Sequence, residues 1–486
     1  MSTIEIIAIV IGCLEVLNLV LLFFMIFLEK KQPQSIIAWM TILTFLPAIG
    51  FIFYILLGSG LSLRTRRMIK RKKLSDRDLL KKFDWRGTLA DLKNQPDLIS
   101  DPDFAEFCMN KGAYPCLKNS VKIFNFGLEK IAALKEDLLN AKESINMEYY
   151  IFGDDKIGNK IMDILLQKAR EGVKVKFLYD SVGCKKAGRS FFGQLRKVGG
   201  EVAEFFPPFM HIRWINLKLN YRNHRKIVVI DGKIAYTGGI NIRDDHMGLK
   251  KKLSPWRDTH IRIEGSGVFP LQNIFFNDWR YASNDPQSTK DFIKEGYFPT
   301  PKKRGETTVQ VLASGPASPN PDLKQAFIKL LTNAKKRVYI QTPYFVPDDS
   351  VYEAIKIALD SGVDVRLMLP KKSDKKVVYL PTISYAEEMM KLGVKVYLYH
   401  GFLHSKTLVV DNDKLVIGTC NIDNRSFNLN FEDDVYMYSY KLNKEYSRQF
   451  EEDIKNSTLA DAQYFKKYTF FNKLAQAFYR LLSPLL

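Results

Sequence analysis

The sequence HRKIVVID at residues 224–231 recurs as HSKTLVVD at residues 404–411. Each copy places a histidine, a lysine and an aspartate at the same spacing, with an apolar run between the lysine and the aspartate. Such a run predicts a buried strand. Because side chains alternate along a strand, the histidine and the lysine of each copy should share a face. The repetition predicts two half-sites that meet in one anion-handling centre.

A glycine and an asparagine follow each copy at matching distances. Gly238 and Asn241 lie 14 and 17 residues after the first histidine, and Gly418 and Asn421 take the same places after the second. Asparagine amides can donate hydrogen bonds to an anion. The matching spacing therefore extends the repeat beyond the strand and favours a functional origin over a purely structural one.

The overall composition is that of a large, basic chain. Its 486 residues leave room for two core-forming domains. The formal net charge of +20 predicts either a polyanionic partner, such as nucleic acid or an anionic membrane, or ordinary solvated surfaces. The five cysteines show neither paired spacing nor histidine neighbours in ligand register, which argues against a disulfide framework or a zinc site.

Two apolar stretches near the amino terminus predict a transmembrane hairpin over residues 1–60. Residues 6–28 and 36–57 are each long enough to cross a hydrocarbon core of about 30 Å, and the loop between them is short. Glu15 and Asn18 are costly in lipid and should face the second helix or lie near a boundary. Trp39 and Tyr54, near opposite ends of the second span, should anchor it at the membrane interfaces.

A basic segment follows the hairpin and predicts its orientation. Residues 64–73 contain seven lysines and arginines, against two lysines in the hairpin loop. By the positive-inside tendency, the bulk of the chain, which follows this segment, should be cytoplasmic. Residues 61–118 are polar with little periodicity and are expected to form a basic connector.

From residue 119 the chain alternates helices and strands, and it does so twice. EGVKV at residues 171–175 and SGVDV at 361–365 are offset by 190 residues, while the two motif histidines are offset by 180. Near-equal offsets argue for a duplicated α/β unit, with a first half at 119–300 and a second at 301–486. The expected elements are helix 126–142, strand 145–152, helix 159–171 and strand 173–179, then helix 322–334, strand 337–341, helix 350–360 and strand 363–369.

These features resemble the phospholipase D superfamily, in which an H-x-K-x4-D motif occurs twice in one chain, and within it the bacterial cardiolipin synthases. The likeness covers nearly the whole chain. It implies an α/β fold in which two pseudo-symmetric halves form one catalytic unit, preceded by the two-helix transmembrane hairpin. The shared segments are NYRNHRK at 220–226, GGIN at 238–241, PWRD at 255–258, QTPYF at 341–345, GTCNIDNRSF at 418–427 and NFE at 430–432.

The resemblance implies chemistry on a phosphodiester, whose negative charge repels nucleophiles. One histidine would attack phosphorus and hold a covalent phosphatidyl intermediate, while the other protonates the leaving glycerol. We assign His224 as the nucleophile and His404 as the general acid and base; pseudo-symmetry leaves the reverse open. Two lysines would neutralise the phosphoryl oxygens, so neither a metal nor another cofactor is expected. The candidate catalytic residues are His224, Lys226, Asp231, His404, Lys406 and Asp411, and the candidate phosphate-binding residues are Lys226, Lys406, Asn241 and Asn421. For Asp231 and Asp411 the resemblance implies an orienting or structural role around the site, because contact of each with its own histidine is not guaranteed by the spacing.

The leading functional hypothesis is that two phosphatidylglycerol molecules become cardiolipin and glycerol at a multi-pass protein of the bacterial cell membrane. Phosphatidylglycerol and cardiolipin are then the partners, and nucleic acid is not. An alternative is a membrane phospholipase D that uses water or small alcohols. A membrane-associated nuclease is a further alternative, since related proteins cleave nucleic acids and the charge suits such a substrate. A non-catalytic scaffold is disfavoured because both motifs are complete.

Several other residues are weaker candidates. Glu432 and Ser426 could act near the phosphate, whereas structural roles are expected for His246 and His260. Apolar residues at helical spacing over 470–482, flanked by basic residues, predict either an interfacial membrane helix or a helix that caps the core. A possible headgroup groove comprises His211, Arg213, Trp214, Lys218, Tyr221 and Arg222.

Overall fold

The computed structural model describes residues 2–27, 33–54, 58, 63–72, 99–208, 220–481 and 483. Among these residues, the helices that precede the duplicated halves are α1 (Thr3–Phe27), α2 (Pro33–Phe45), α3 (Pro47–Phe53), α4 (Leu63–Lys72) and α5 (Pro102–Met109). The first half contains β1 (Cys116–Phe124), α6 (Gly127–Leu139), β2 (Ser144–Tyr149), α7 (Lys156–Arg170), β3 (Lys174–Asp180), α8 (Gly188–Arg196), β4 (Glu201–Phe205), β5 (Arg222–Asn223), β6 (Lys226–Ile230), β7 (Ile234–Gly238), β8 (Trp256–Arg257), β9 (His260–Glu264), α9 (Val268–Ser283) and α10 (Thr289–Lys294).

The second half repeats the order of the main elements. It contains β10 (Thr307–Ser314), α11 (Asp322–Asn333), β11 (Arg337–Gln341), β12 (Phe345–Val346), α12 (Asp349–Asp360), β13 (Asp364–Pro370), α13 (Lys376–Leu392), β14 (Lys395–Tyr399), β15 (Phe402–Leu403), β16 (Thr407–Val410), β17 (Lys414–Gly418), β18 (Ile422–Asp423), α14 (Asn424–Asn428), β19 (Asn430–Tyr438), α15 (Tyr440–Lys455), β20 (Ser457–Leu459), α16 (Ala462–Lys466) and α17 (Phe470–Leu481).

One continuous sheet runs through both halves. Its first-half portion has the order β4-β3-β2-β6-β7-β9-β1, and its second-half portion has the order β10-β19-β17-β16-β11-β13-β14-β20. Each strand of the first portion has a counterpart at the same distance from the centre of the sheet. The halves join where β1 pairs antiparallel with β10. The duplicated α/β architecture predicted from the sequence is therefore confirmed. The sheet continues from one half into the other, so it does not mark where one domain ends, and the predicted domain boundaries stay predictions.

The hydrophobic residues form one core that belongs to both halves and one outer core in each half. The shared core combines Phe275 of α9 and Ile227 of β6 with Val435 of β19 and Leu442 of α15. The motif strands β6 and β16 are completely buried, which explains their unbroken apolar runs. Because the two halves share a core, their relative orientation is fixed by packing, and so is the relative position of their motifs.

Part of the expected connector is built into the second half. Phe104, Ala105 and Cys108 of α5 are buried in the outer core that also contains Leu323 of α11. Gln310 of β10 donates hydrogen bonds to the carbonyls of Ala105 (3.0 Å) and Ala113. Residues 99–113 of the expected connector are therefore packed against the second half.

The second apolar stretch is not one straight helix. It divides into α2 and α3 at Leu46, where Pro47 follows and cannot donate the hydrogen bond that would continue the helix. The rings of Trp39 and Tyr54 lie 5.3 Å apart. Residues fifteen positions apart would be separated by about 22 Å in a straight helix, so the two short helices fold back on one another. Trp39 and Tyr54 are buried against each other instead of anchoring opposite ends of a span.

Helix α1 supports this fold-back. The Asn18 side-chain amide of α1 donates to the Pro47 carbonyl (3.2 Å) and the Leu43 carbonyl (3.5 Å), beside the break. Asn18 thus faces the second apolar segment as expected, whereas Glu15 is exposed. Among the described residues, α1 is the one helix long and apolar enough to cross a membrane.

Candidate active site

Two short parallel pairings bring the motif histidines into contact with the opposite half. In the first pairing, β5 lies beside the start of β19, and the His224 amide donates to the Phe431 carbonyl (3.0 Å). In the second, β15 lies beside β8, and the His404 amide donates to the Arg257 carbonyl (2.7 Å). Each histidine is therefore held at the interface by a backbone bond to the other half.

The residue after each acceptor carbonyl is an acid that holds the histidine ring. His224 Nδ1 lies 2.9 Å from Glu432 Oε2. His404 Nδ1 lies 2.7 Å from Asp258 Oδ2. Both histidines are 8% exposed, and both carboxylates are completely buried. Since Nδ1 of each ring is engaged by a carboxylate, Nε2 is the nitrogen left to react.

The motif lysines lie directly beside the histidines. Lys226 Nζ and Lys406 Nζ each donate to the carbonyl of the histidine two residues earlier. Lys406 Nζ also lies 3.0 Å from His404 Nδ1. Lys226 additionally lies over the ring of Tyr150, with its Nζ 5.5 Å from the ring centroid. The structure thus brings both histidines and both lysines predicted from the sequence into one interfacial site.

Burial shifts the pKa of all four groups toward the neutral form. The pKa of His224 falls to about 4 because burial disfavours the imidazolium, an effect that Glu432 opposes. Burial, followed by the two lysine charges, holds the pKa of His404 well below its ordinary value. The lysine pKa values fall to about 7 for Lys226 and about 8 for Lys406, again through burial. A neutral imidazole is the form that a nucleophile requires.

The two carboxylates differ from each other. Burial acts to raise the pKa of Glu432, but His224 and Lys226 outweigh it and hold that pKa below its ordinary value. Burial prevails at Asp258 and raises its pKa to about 6, although Lys406 opposes the shift. The pKa of Glu432 is therefore lowered and that of Asp258 is raised, so Glu432 is the more firmly ionised of the two carboxylates. This difference breaks the symmetry of the site.

Asp231 and Asp411 lie away from the reacting groups, which fits the orienting or structural role that the resemblance implies for them. Each is separated from its lysine by the length of a buried strand, about 16 Å. The Asp231 carboxylate accepts backbone N–H bonds from Lys142, Glu143 and Ser144 at 2.8–3.2 Å. Both aspartates have a left-handed backbone, with φ of 53° and 52°.

The second aspartate makes the same contacts as the first. Asp411 accepts from the amides of Lys335, Lys336 and Arg337 at 2.7–3.3 Å. In each half, the aspartate therefore fixes the turn after the motif strand to the start of the neighbouring strand. Asp231 and Asp411 are structural residues with no contact to the histidines.

The asparagines and glycines of the motif belong to the walls of the site. Asn241 accepts from the Ile151 amide (3.1 Å), and its Nδ2 lies 3.3 Å from His246 Nε2. The Asn421 amide donates to Ser426 Oγ (3.2 Å), while its Oδ1 is buried without a protein partner. A Cβ at Gly418 would lie 1.9 Å from Asp434 Oδ1, so only glycine fits there.

Asp258 is the residue of this site that motif spacing alone misses. It lies 146 residues before its histidine, so the contact is invisible to any local pattern. The signal for it was the PWRD segment at residues 255–258, which carries part of the family resemblance. Glu432, a weaker candidate from the sequence, proves to be the counterpart of Asp258.

His246 also contacts the site, although it was expected to be purely structural. Its ring lies 4.1 Å from that of Trp256 and 5.4 Å from that of His404. With Asp258, these two histidines form the group of described residues whose ligand atoms lie within 4.8 Å of one another. The Lys406 ammonium beside His404 adds a positive charge that opposes cation binding there.

The proposed headgroup groove is described only in part. His211, Arg213, Trp214 and Lys218 lie outside the described residues. Tyr221 is buried in the shared core, and Arg222 is buried with its guanidinium 3.8 Å from Asp180. His260 is buried on β9 behind the site.

Family models match most of the catalytic region. The model described as "Cardiolipin synthase, PLD-like domain" matches residues 134–253 and 327–454, one match in each half. The model described as "Phospholipase_D-nuclease N-terminal" matches residues 16–59.

Full-length relatives show the same similarity. A cardiolipin synthase of Listeria welshimeri is 40% identical, with 97% of this chain and 98% of the relative covered. The major cardiolipin synthase ClsA of Bacillus subtilis is 39% identical at the same coverage. Among solved structures, phosphatidylserine synthase of Haemophilus influenzae has a TM-score of 0.60 at 16% identity, over 79% of this chain and 100% of that one. That structure shares the fold.

Proposed function

The chain belongs to the cardiolipin synthase family of phospholipase D-like proteins, and from that premise we propose that it transfers a phosphatidyl group between two phosphatidylglycerol molecules. The products are cardiolipin and glycerol, so the enzyme is a phosphatidyltransferase. The observation that carries this proposal is the crossed pairing of His224 with Glu432 and of His404 with Asp258. It supplies two oriented imidazoles in one buried, cationic site.

In the first half-reaction, His224 Nε2 attacks the phosphorus of one phosphatidylglycerol. A nitrogen–phosphorus bond forms, and the bond from phosphorus to the glycerol oxygen breaks. His404 donates its Nε2 proton to that oxygen, and glycerol leaves. The negative charge of the bound phosphodiester raises the pKa of His404, so that the imidazolium needed for this step forms in the complex.

In the second half-reaction, His404 is neutral and acts as a base. It removes a proton from a glycerol hydroxyl of the second phosphatidylglycerol, and the resulting oxygen attacks phosphorus. The nitrogen–phosphorus bond breaks, which frees His224 and releases cardiolipin. One phosphodiester replaces another, so no nucleotide or metal is needed to balance the reaction.

The difference between the two carboxylates supports His224 as the nucleophile. The phosphatidyl-histidine carries positive charge on its ring, which a firmly ionised partner stabilises best, and Glu432 has the lowered pKa. A general acid and base must lose its proton in each cycle, and Asp258, with its pKa raised to about 6, stabilises the imidazolium of His404 less firmly than Glu432 stabilises that of His224.

The lysines and asparagines complete the proposed machinery. Lys226 and Lys406 lie beside the two histidines, where their charges would neutralise the non-bridging oxygens of the phosphoryl group. The unpartnered Oδ1 of Asn421 shows that this side chain has hydrogen-bonding capacity to spare. A turned Asn421 amide would donate to the phosphate, and Asn241 would act similarly in the other half.

The second candidate function is hydrolysis, or transfer to small alcohols, by the same intermediate. It differs only in the acceptor, and burial of the site favours the lipid acceptor. Both histidines are nearly enclosed, so bulk water reaches them poorly. A nuclease activity would need a long polyanion to enter the same enclosed interface.

We place the protein in the bacterial cell membrane, with α1 crossing it and the catalytic halves on the cytoplasmic side. The basic helix α4 supports that orientation, since it follows the apolar segments with Arg66, Arg67, Lys70 and Arg71. The multi-pass topology stays a prediction, because it requires α2 and α3 to open into one helix. The variant Ser2→Cys tests this orientation. In intact cells, its thiol would react with a membrane-impermeant thiol reagent added outside only if the amino terminus lies outside the cell.

The test of the proposed function is the product balance. Purified protein, phosphatidylglycerol vesicles and EDTA should give cardiolipin and free glycerol in equal amounts. Adding ethanolamine or serine should not change that ratio. Phosphatidic acid as the main product would establish the hydrolase instead.

A further inference from the structure

The carboxyl-terminal helix α17 is attached to the protein by its polar side. The Arg480 guanidinium pairs with the Glu388 carboxylate of α13, with one contact at 3.0 Å, and stacks 4.1 Å from the Tyr385 ring. Lys473 lies 3.7 Å from Glu387 of the same helix. Gln476, between these two anchors, is buried. The contacts that fix α17 therefore involve its charged and polar residues.

The apolar side of α17 faces away from the protein. Its large apolar side chains are 57% to 78% exposed, and at 100° per residue they occupy one arc of about 100° opposite Gln476. A helix that caps a core would bury this side and expose the other. The core-capping alternative left open by the sequence is therefore wrong. The exposed side chains are Phe470, Phe471, Leu474, Phe478 and Leu481.

The charge of this segment identifies the surface that would cover it. The sequence from Ala462 to the end of the chain contains no acidic residue. The exposed lysines Lys466 and Lys467 precede α17, and the half-exposed Lys473 lies within it. A second copy of the same helix would bring these cations together, whereas an anionic lipid surface pairs with them. Apolar residues beside lysines are the pattern of helices that lie in a membrane interface.

The helix that carries α17 also reaches the catalytic site. The residue two positions before α13 is Asp374, which accepts a hydrogen bond from Tyr344 at 2.6 Å. Burial and the charges of Lys406, Lys226 and His224 make the larger contributions to the lowered pKa of His404. The charge of Lys375, the residue after Asp374, lowers that pKa further. One end of α13 thus borders the catalytic centre while its other half supports α17.

We propose that the apolar face of α17 lies in the interface of an anionic phospholipid bilayer, as a membrane contact separate from α1. Through α13, this contact presents the catalytic site to lipids in the bilayer. The presentation of the site to lipids rests on the proposed phosphatidyl transfer, whereas the membrane contact of α17 does not.

The first test measures the depth of α17 in the membrane. The full chain, with its exposed Cys13 replaced by alanine, is labelled with a fluorophore at Phe478→Cys and reconstituted into vesicles of phosphatidylcholine and phosphatidylserine. Asn472→Cys, exposed on the opposite arc of the same helix, is the matched control. Lipids with a nitroxide on the acyl chain should quench the probe at 478 at least about twofold more than the probe at 472. Equal quenching at both positions, or crosslinking of two copies through position 478 without quenching, would overturn the proposal.

The second test asks whether the contact matters for turnover. The double variant L474K/F478K should form cardiolipin at least about tenfold more slowly in vesicles, yet within about twofold of the unmodified rate in detergent micelles that contain phosphatidylglycerol. An unchanged vesicle rate would overturn the presentation of the site to lipids. If the unmodified protein makes no cardiolipin in either system, phosphatidyl transfer fails, while the quenching test still decides the membrane contact.

Discussion

His224 Nδ1 and Glu432 Oε2 lie 2.9 Å apart, although the two residues belong to different halves of the chain. The reciprocal bond from His404 to Asp258 crosses the same interface in the other direction. Each half therefore supplies a histidine that it cannot orient by itself. The duplication has produced one site that exists only when the halves pack together.

The first prediction concerns the histidines. His224→Ala and His404→Ala should each lower the rate of cardiolipin formation by at least about 10³-fold, because transfer from phosphatidylglycerol, with its poor leaving group, needs both imidazoles. The measurement is the initial rate with phosphatidylglycerol vesicles. His400→Ala is the matched control, since that exposed histidine contacts Thr458 outside the site and its loss should leave the rate within about twofold. A histidine variant as active as the control would contradict the two-histidine mechanism.

The second prediction concerns the crossed acids. Asp258→Asn and Glu432→Gln keep the size of each side chain but remove the charge that holds its histidine, and each should lower kcat by about 10²–10⁴-fold. Thermal unfolding should confirm that the variants remain folded. Glu452→Gln, on the exposed face of α15, is the control and should retain full activity. Wild-type kcat in either variant would show that orientation from the opposite half is dispensable.

The third prediction separates the motif aspartates from the catalytic residues. Asp231→Ala leaves three backbone amides without their acceptor and should lower the free energy of unfolding by about 2–4 kcal/mol. Asp411→Ala should do the same in the second half. Below the unfolding transition, kcat should stay within about fivefold of the wild type. A loss as large as that of His224→Ala, in a variant shown to be folded, would restore the catalytic role expected from the sequence.

The sequence was informative wherever structure follows from local pattern. Strand β11 was predicted over 337–341 and is observed as Arg337–Gln341, because its alternation and flanking turns are local signals. The histidines and lysines could be predicted because their motif repeats. Asp258 acts on a histidine 146 residues away, and no spacing encodes that contact.

The second apolar stretch and the motif aspartates also differ from what the sequence predicted, and each difference has a physical cause. Composition alone makes residues 36–57 a membrane span, but Pro47 interrupts the helix and Asn18 of another helix supplies hydrogen bonds at the break. The motif aspartates were assigned to catalysis because they belong to the repeat. Their strand carries them to its opposite end, and a linear motif does not reveal that distance.

The fourth prediction is a bell-shaped dependence of the rate on pH. On the acidic side, Asp258, with its pKa raised to about 6, becomes protonated and no longer accepts from His404, so the rate falls. On the alkaline side, Lys226 and Lys406, with pKa values lowered to about 7 and about 8, lose the charge that neutralises the phosphate. Initial rates in vesicles between about pH 5 and pH 9 should therefore peak near neutrality. A flat profile across that range would contradict these assignments.

The fifth prediction concerns metals. Because the lysines neutralise the phosphate, EDTA should leave the rate within about twofold of the untreated enzyme. Zinc should inhibit if it binds His246, Asp258 and His404, since it would replace the proton on the general acid. Activity that disappears with EDTA and returns with one divalent metal would contradict a lysine-based site.

The most direct measurement uses the His404→Ala variant and a phosphatidyl ester of p-nitrophenol. That leaving group departs without a general acid, so the variant can complete the first half-reaction, but it lacks the base that activates the acceptor. We expect a burst of about one equivalent of nitrophenol and, by mass spectrometry, a phosphatidyl group on the peptide that contains His224. No covalent adduct, or an adduct on a residue other than His224, would contradict the mechanism.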